Sequence, residues 1–268
     1  MAKIFEWIIY LFSFSMIRYF SIAGLAYLLV YKVFTKKLAS NKIQAKHAKK
    51  ADFAREIIHS INASLWMVFV AIPFFIPPIN QYTQQYANIS DYGVVYLVFS
   101  VIASLVIHDT YFYWMHRLLH HPLLFKHTHL LHHKSTNPSP WTSYAFHTFE
   151  AITEGMILPI LLFVLPMHSV GISLFIVSGF IINVYGHLGY EIMPKWFRRS
   201  VLFEVFNTSV HHNLHHSKFK GNYGLYLRIW DRLMKTEHPQ YVATFDKVQE
   251  QRFGKSKQDI SEAVMISE

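Results

Sequence analysis

The sequence predicts an all-α integral membrane bundle, with about four transmembrane helices or hairpin segments and a cytosolic helical cap. Three observations predict it. Of 268 residues, 52% are hydrophobic and only 15% charged, a balance uncommon in soluble domains of this size. The apolar residues fall in long runs rather than in the short alternating pattern of half-buried strands. A lysine-rich stretch follows the first run directly, where the positive-inside rule puts it.

The first run, about Trp7 to Val33, is interrupted by Arg18, and seven lysines lie between Lys32 and Lys50. Its length and that stop-transfer pattern favour a retained helix over a cleaved signal peptide. The second run spans about Ile57 to Ile76 and ends at Pro77-Pro78. The third begins near Gly93 and continues through Ile107 into Tyr113. Each is close to the roughly 20 residues that a membrane helix needs. The fourth, Ala151 to Tyr185, is 35 residues long, too long for one crossing. Pro159 and Pro166 interrupt it, so a hairpin of two helices is expected.

With the Lys32–Lys50 loop cytosolic, the Asn80–Asp91 loop, which has no Lys or Arg, faces the other side. The third run then returns the chain near Trp114, and the hairpin goes in and comes back. Both histidine-rich regions therefore share the cytosolic face. Residues 1–245 read as a single membrane domain, with the histidine-bearing region at about 93–240 and a polar tail at 246–268.

The chain has no cysteine, which excludes disulfides, thiolate zinc sites, iron–sulfur clusters and thiol nucleophiles. Any metal must be held by nitrogen or oxygen. The formal charge of +9 is concentrated beside the first run, so it reads as a topology signal and not as a nucleic-acid surface.

Of 18 histidines, nine lie between His108 and His147 and four more between His211 and His216. H-R-L-L-H supplies His116 and His120. H-L-L-H-H supplies His129, His132 and His133, and H-N-L-H-H repeats that spacing with His212, His215 and His216. On a helix, positions i, i+3 and i+4 share one face, so each set is expected to converge on one point. Imidazole nitrogen binds a transition metal at about 2.0–2.1 Å. Packing eight bare imidazoles together would leave hydrogen bonds unmet and bring like charges together on protonation, and a metal resolves both. Eight nitrogens exceed the capacity of one four- or six-coordinate ion, so two metals are expected; zinc, copper and iron all accept imidazole.

Asp109, Tyr113, His116 and His120 fall at i, i+4, i+7 and i+11, one helical stripe. Asp109 is placed to orient a ligating imidazole through its other ring N–H, or else to cap the helix. Arg117 sits one position off the stripe, where a phosphate or interface role competes with an ion pair to Asp109 or Glu150.

With these boxes, the chain resembles the fatty acid hydroxylase/sterol desaturase superfamily of membrane-bound histidine-box di-iron oxygenases. The resemblance runs from about Asp109 to Thr236. It is carried by D-T-Y-F-Y-W-M-H-R-L-L-H, by H-L-L-H-H, and by H-H-N-L-H-H-S-K-F-K-G-N-Y-G-L-Y-L-R-I-W-D-R-L. It implies two iron ions held by His116, His120, His129, His132, His133, His212, His215 and His216, with His187 of Y-G-H-L-G-Y-E as a lone further ligand. Some members carry another histidine four residues later, where this chain has Glu191. The resemblance leaves that tenth position to Glu191, His211 or water. It places His147 outside the ligand set, close to it.

The implied enzyme uses O2 and two external electrons to hydroxylate or desaturate a membrane lipid that enters sideways from the bilayer. Zinc is a possible substitute metal in a purified sample. Lacking cysteine clusters and a G-x-G-x-x-G fingerprint, the chain calls for a separate electron-transfer protein and reductase. The alternative is a non-enzymatic or hydrolytic zinc-binding membrane protein. A zinc hydrolase would want H-E-x-x-H, which does not occur here. A metal transporter would place ionisable groups mid-span, whereas these boxes lie at predicted membrane ends.

Overall fold

The computed structural model describes residues 2–46 and 48–254. Helix α1 (Ala2–Leu28) runs on through a π-helical turn, Leu29–Val33. It is followed by α2 (Lys50–Ala71) and α3 (Gly93–Leu119). Lys3–Val33, Lys50–Phe75, Gly93–Leu119 and Ser169–Gly186 are each long and apolar enough to cross a membrane. Large apolar side chains such as Ile17, Val95 and Phe99 stand exposed on these helices. With no water-facing reason to do so, that arrangement fits lipid as the surrounding solvent.

The fourth apolar run is a hairpin with an uneven pair of limbs. Its first limb is two short helices, α6 (Thr148–Gly155) and α7 (Ile157–Val164); its second is one continuous helix, α8 (Ser169–Gly186). The interruption falls at Met156 and not at Pro159. Pro159 occupies the first turn of α7, where its missing N–H has no intrahelical partner to lose. Pro166 lies in the turn before a two-residue strand β2 (Met167–His168), which pairs in parallel with β1 (Gln85–Tyr86). Gln84 N–H also donates to the Leu162 carbonyl at 2.7 Å. The hairpin tip is thereby tied to the α2–α3 loop, at the end of the bundle away from the two histidine-rich regions.

At the other end the chain forms a helical cap. It comprises α4 (Pro122–Thr128), α5 (Leu130–His133), α9 (Val201–Val205), α10 (Ser209–Lys218), α11 (Ile229–Leu233) and α12 (Tyr241–Phe253). Although α12 is weakly patterned, it buries Tyr241, Phe245 and Val248 against Phe203, Val210 and Leu214. Of the polar tail expected at 246–268, residues 246–253 belong to α12, which buries Val248 in the cap, and 255–268 lie outside the described residues.

Arg228 fastens this cap. Its guanidinium lies 4.7 Å from the Phe203 ring and 4.8 Å from Tyr241. It donates to both Glu237 oxygens at 2.7 and 3.0 Å. Arg228→Ala is expected to cost about 3 kcal/mol, as for breaking a buried pair. Thermal unfolding in detergent micelles would show it as a lowered midpoint.

Candidate metal centre

Nine histidines converge at the junction of bundle and cap. His116 is in the last turn of α3, and His120 is its C-cap. The short helices α4 and α5 meet at His129 and carry His132 and His133. His187 is the C-cap of α8, and α10 carries His212, His215 and His216. The side chains form two adjoining groups. The first contains His116, His120, His129, His133 and His215; the second contains His132, His187, His212 and His216. Within each group the candidate ligand atoms lie within 4.8 Å of one another.

The grouping differs from the expectation that each H-x-x-H-H set converges on one point. In the second box His129 and His133 join the first group while His132 joins the second. In the last box the assignment reverses, with His212 and His216 in the second group and His215 in the first. Helix geometry explains this. Positions i and i+4 are about 40° apart around the axis, but i+3 and i+4 are about 100° apart, so adjacent histidines diverge. Each H-x-x-H-H box therefore straddles both groups, whereas His116 and His120 of the first box both join the first group. Rings touch across the boundary, with centroids 5.1 Å apart for His129 and His132 and 5.0 Å for His133 and His216.

The hydrogen bonds decide where the protons are. The Nδ1–H groups of His116, His187, His215 and His216 donate to the carbonyls of Tyr223, Asn183, Gly221 and Ser135, at 2.9, 2.9, 2.7 and 3.0 Å. The Nδ1–H of His129 donates to Glu150 Oε1 at 2.6 Å. With the proton on Nδ1, the Nε2 atoms of these rings present lone pairs to each other. Nε2 of His212 lies 3.0 Å from that of His187 and 3.1 Å from that of His216, and the last two are 3.2 Å apart. His120, His133 and His215 make a similar triangle, with sides of 3.1, 3.0 and 3.2 Å.

The lone pairs of His116 and His129, with Nε2 atoms 2.9 Å apart, and those of His187 and His216, 3.2 Å apart, face each other and repel unless a cation sits between them. Two nitrogens about 2.1 Å from one ion, at right angles, are about 3.0 Å apart. The residues therefore fit a metal ion in each group. Burial holds the rings neutral, pushing His215 down to about 4 and, with the His215 imidazole nearby, His187 to about 4 as well. Neutral imidazole is the form that ligates.

The remaining sequence candidates lie elsewhere. His211 belongs to neither group and packs edge-on against Tyr241, its ring nitrogens without hydrogen bonds. Asp109 does not orient an imidazole. Its Oδ1 accepts from the backbone N–H groups of Tyr226 and Leu227 at 2.7 and 3.1 Å, anchoring the chain after α10. His147 caps α6 by accepting from Phe149 N–H. Arg117 pairs with neither acid; it donates to the Tyr113 hydroxyl and lies over Trp114.

Glu191 also stands apart from both groups. It accepts from the Tyr185 hydroxyl and Met193 N–H, and it lies against Val210 N–H. The i+4 relation to His187 fails because α8 stops at Gly186 and Gly189 turns the chain with φ +74°. A Cβ there would come within 2.9 Å of the Pro138 carbonyl. Glu191→Gln is expected to leave the metal content unchanged, measured by elemental analysis. It would lower stability by about 1–3 kcal/mol, because an amide N–H₂ would face Val210 N–H.

Two acids support the rings without having been linked to a histidine by the sequence pattern, which offered Glu150 only as a partner of Arg117. Glu150 holds His129, and Asp231 accepts from the N–H groups of Tyr223 and Gly224 at 2.9 and 2.7 Å. Asp231 thereby fixes the carbonyl that receives His116. No local spacing links either acid to its histidine; only the packing does.

Beside the two groups lies a cavity of about 920 Å³. Its lining comes from α1 and α2 as well as from α3 and the hairpin. Phe112 and Phe146 belong to it, and their rings lie 4.8 Å from His116 and 5.1 Å from His132. The cavity thus ends on two rings, one beside each group.

The fatty acid hydroxylase family model matches residues 101–236, the part of the chain that carries all nine clustered histidines. The chain belongs to the fatty acid hydroxylase/sterol desaturase superfamily. Among its relatives is lathosterol oxidase of Rattus norvegicus, 33% identical over 224 residues, covering 81% of this chain and 69% of that protein. A Delta(7)-sterol 5(6)-desaturase of Gibberella zeae is 32% identical over 204 residues, covering 76% and 59%. Another, of Schizosaccharomyces pombe, is 30% identical over 234 residues, covering 87% and 73%. No solved structure matches the chain significantly. As a member of this superfamily the protein is an oxidoreductase, and its four apolar helices make it an integral membrane protein.

Proposed function

We propose that this superfamily member oxidises a sterol-type membrane lipid, inserting a hydroxyl or a double bond at an unactivated carbon. The observation that carries the reading is the pair of adjoining all-histidine groups, separated by the Phe112 and Phe146 rings from a cavity of about 920 Å³. His116, His120, His129, His133 and His215 would hold one iron ion, and His132, His187, His212 and His216 the other. Two such ions supply O2 reduction and C–H oxidation when a separate electron-transfer protein and its reductase deliver two electrons.

This chain's own residues do the rest. The carbonyls of Tyr223, Asn183, Gly221 and Ser135, with Glu150, fix the ring tautomers and aim the Nε2 atoms. Phe112 and Phe146 form the apolar wall where a substrate carbon would rest. The bundle keeps bulk water from it, and the lipid enters from the bilayer. With the Lys32–Lys50 segment facing the cytosol, the cap and its histidines face it too, within reach of a soluble electron carrier.

The test expresses the full-length protein in a host lacking its own copy. Whole-cell lipids are compared by mass spectrometry, and metal is counted in purified protein. An oxidised sterol together with about two irons per chain supports the reading. A single ion per chain, zinc alone in an active preparation, or an unchanged lipid profile with a competent donor present would sink it.

A further inference from the structure

The cavity wall carries a polar cluster that the metal groups do not use. His108 on α3, Glu154 on α6 and Tyr226 in the chain after α10 all line it. Tyr226 and His108 Nδ1 are 2.9 Å apart, and Glu154 Oε2 is 3.8 Å from His108 Nε2. The carboxyl group favours the tautomer with its proton on Nε2, so the phenol donates to Nδ1. That leaves an N–H aimed toward Glu154 across a gap too long for a hydrogen bond. Nε2 is buried and has no hydrogen-bond partner. Gly179 makes the arrangement possible, since a Cβ there would lie 2.5 Å from the Tyr226 hydroxyl oxygen.

A donor and an acceptor 3.8 Å apart are too close for a group in line between them, but a hydroxyl oxygen off that line can stand about 2.8 Å from each, accepting from one and donating to the other. A carboxylate or phosphate would meet the Glu154 oxygens, and an ammonium has no acceptor for Nε2–H. His108 precedes His116 by eight positions on α3, about 12 Å along the axis. The Phe112 ring lies between them, 6.3 Å from His108 and 4.8 Å from His116.

We infer that the cavity reads one neutral hydroxyl of an otherwise apolar, sterol-sized lipid, which bridges His108 and Glu154 from beside the line joining them. Holding that hydroxyl sets which carbon lies over Phe112, against the histidines. The inference rests on the lipid-oxidation reading above and names the chemical handle of its substrate. His108 and Glu154 are then positioning residues, and Tyr226 and Gly179 support His108.

The experiment uses full-length, iron-loaded protein in detergent micelles and measures binding of tritiated cholesterol. Competition by unlabelled cholesterol is compared with competition by 5-cholestene, which lacks the hydroxyl. The wild type is expected to prefer cholesterol about ten-fold, the worth of one to two net hydrogen bonds. In His108→Phe and Glu154→Leu that preference falls to about one, while 5-cholestene binding and iron content hold. Gly179→Ala, which displaces the Tyr226 hydroxyl, weakens the preference without touching either polar partner.

A wild type without preference overturns the inference, as does a preference retained in both variants. An equal loss of both sterols also overturns it, since a purely structural role predicts that result. Oxidised lipid and two irons without any hydroxyl preference would leave the functional reading standing and remove only this inference. Hydroxyl preference in a protein that oxidises no lipid would do the reverse.

Discussion

His132→Ala is expected to abolish lipid oxidation and to halve the bound iron, from about two ions per chain to about one. The residue sits in α5, between His129 and His133 in sequence, yet its ring faces His187 and His216. It is the second group's one contribution from the second box. Removing it leaves three imidazoles, and the Nε2 atoms of His187, His212 and His216 keep their mutual separations of about 3 Å with one ligand fewer. Loss of an outer partner alone typically costs 10–100-fold in affinity or activity, so loss of a ligand costs at least about 100-fold.

The informative control is His211→Phe, one position before His212. His211 is fully buried against Tyr241 and outside both groups, so phenylalanine there is expected to retain both irons. Elemental analysis of the two purified variants, beside product formation, separates a ligand from a buried neighbour. Full activity in His132→Ala, or iron loss from His211→Phe alone, would reverse the assignment.

Glu150→Ala has the second-largest expected effect. Glu150 and His129 are both 2% exposed and 2.6 Å apart. The acid fixes the ring tautomer and raises the basicity of Nε2. Alanine leaves a buried Nδ1–H without an acceptor and frees the ring to turn. Activity is expected to fall 10–100-fold, and iron in the first group should be stripped faster by a chelator. Glu150→Gln keeps an acceptor oxygen and loses the charge, so it should fall between alanine and wild type. Stopped-flow chelation that shows two equal iron-release rates in Glu150→Ala would contradict an effect confined to the first group.

Much of the architecture was legible in one dimension. The apolar runs announced the spans because span length is a property of consecutive residues in lipid. The hairpin was legible too, although its break was not. Pro159 looks like an interruption, but a proline in a first turn is harmless, and only the packing of α6 and α7 puts the break at Met156.

The nine clustered histidines were all recognisable, eight from their spacing and His187 from the superfamily resemblance. Their partition was not. It depends on how α3, α5, α8 and α10 are rotated toward one another. Helix α10 gave no help, since Ser209–His216 is buried on every side and shows no amphipathic stripe. Asp109 shows the same limit. A stripe with His116 suggested a partner for a ring, yet its hydrogen bonds go to Tyr226 and Leu227, 117 and 118 positions away.

The sequence by itself determined a membrane bundle, the imidazole count and the superfamily, because span length, helical spacing and composition are local quantities. The tertiary structure alone decided which histidine joins which group and which acid supports it. It also decided which rings stand between a cavity and the two groups, and that the unpartnered Nε2 of His108 faces Glu154. Those facts rest on contacts such as His116 to Tyr223, 107 residues apart, and His216 to Ser135, 81 apart. Contacts at that range exist only once the helices have docked, because helix rotation and closure of the cap aim each side chain.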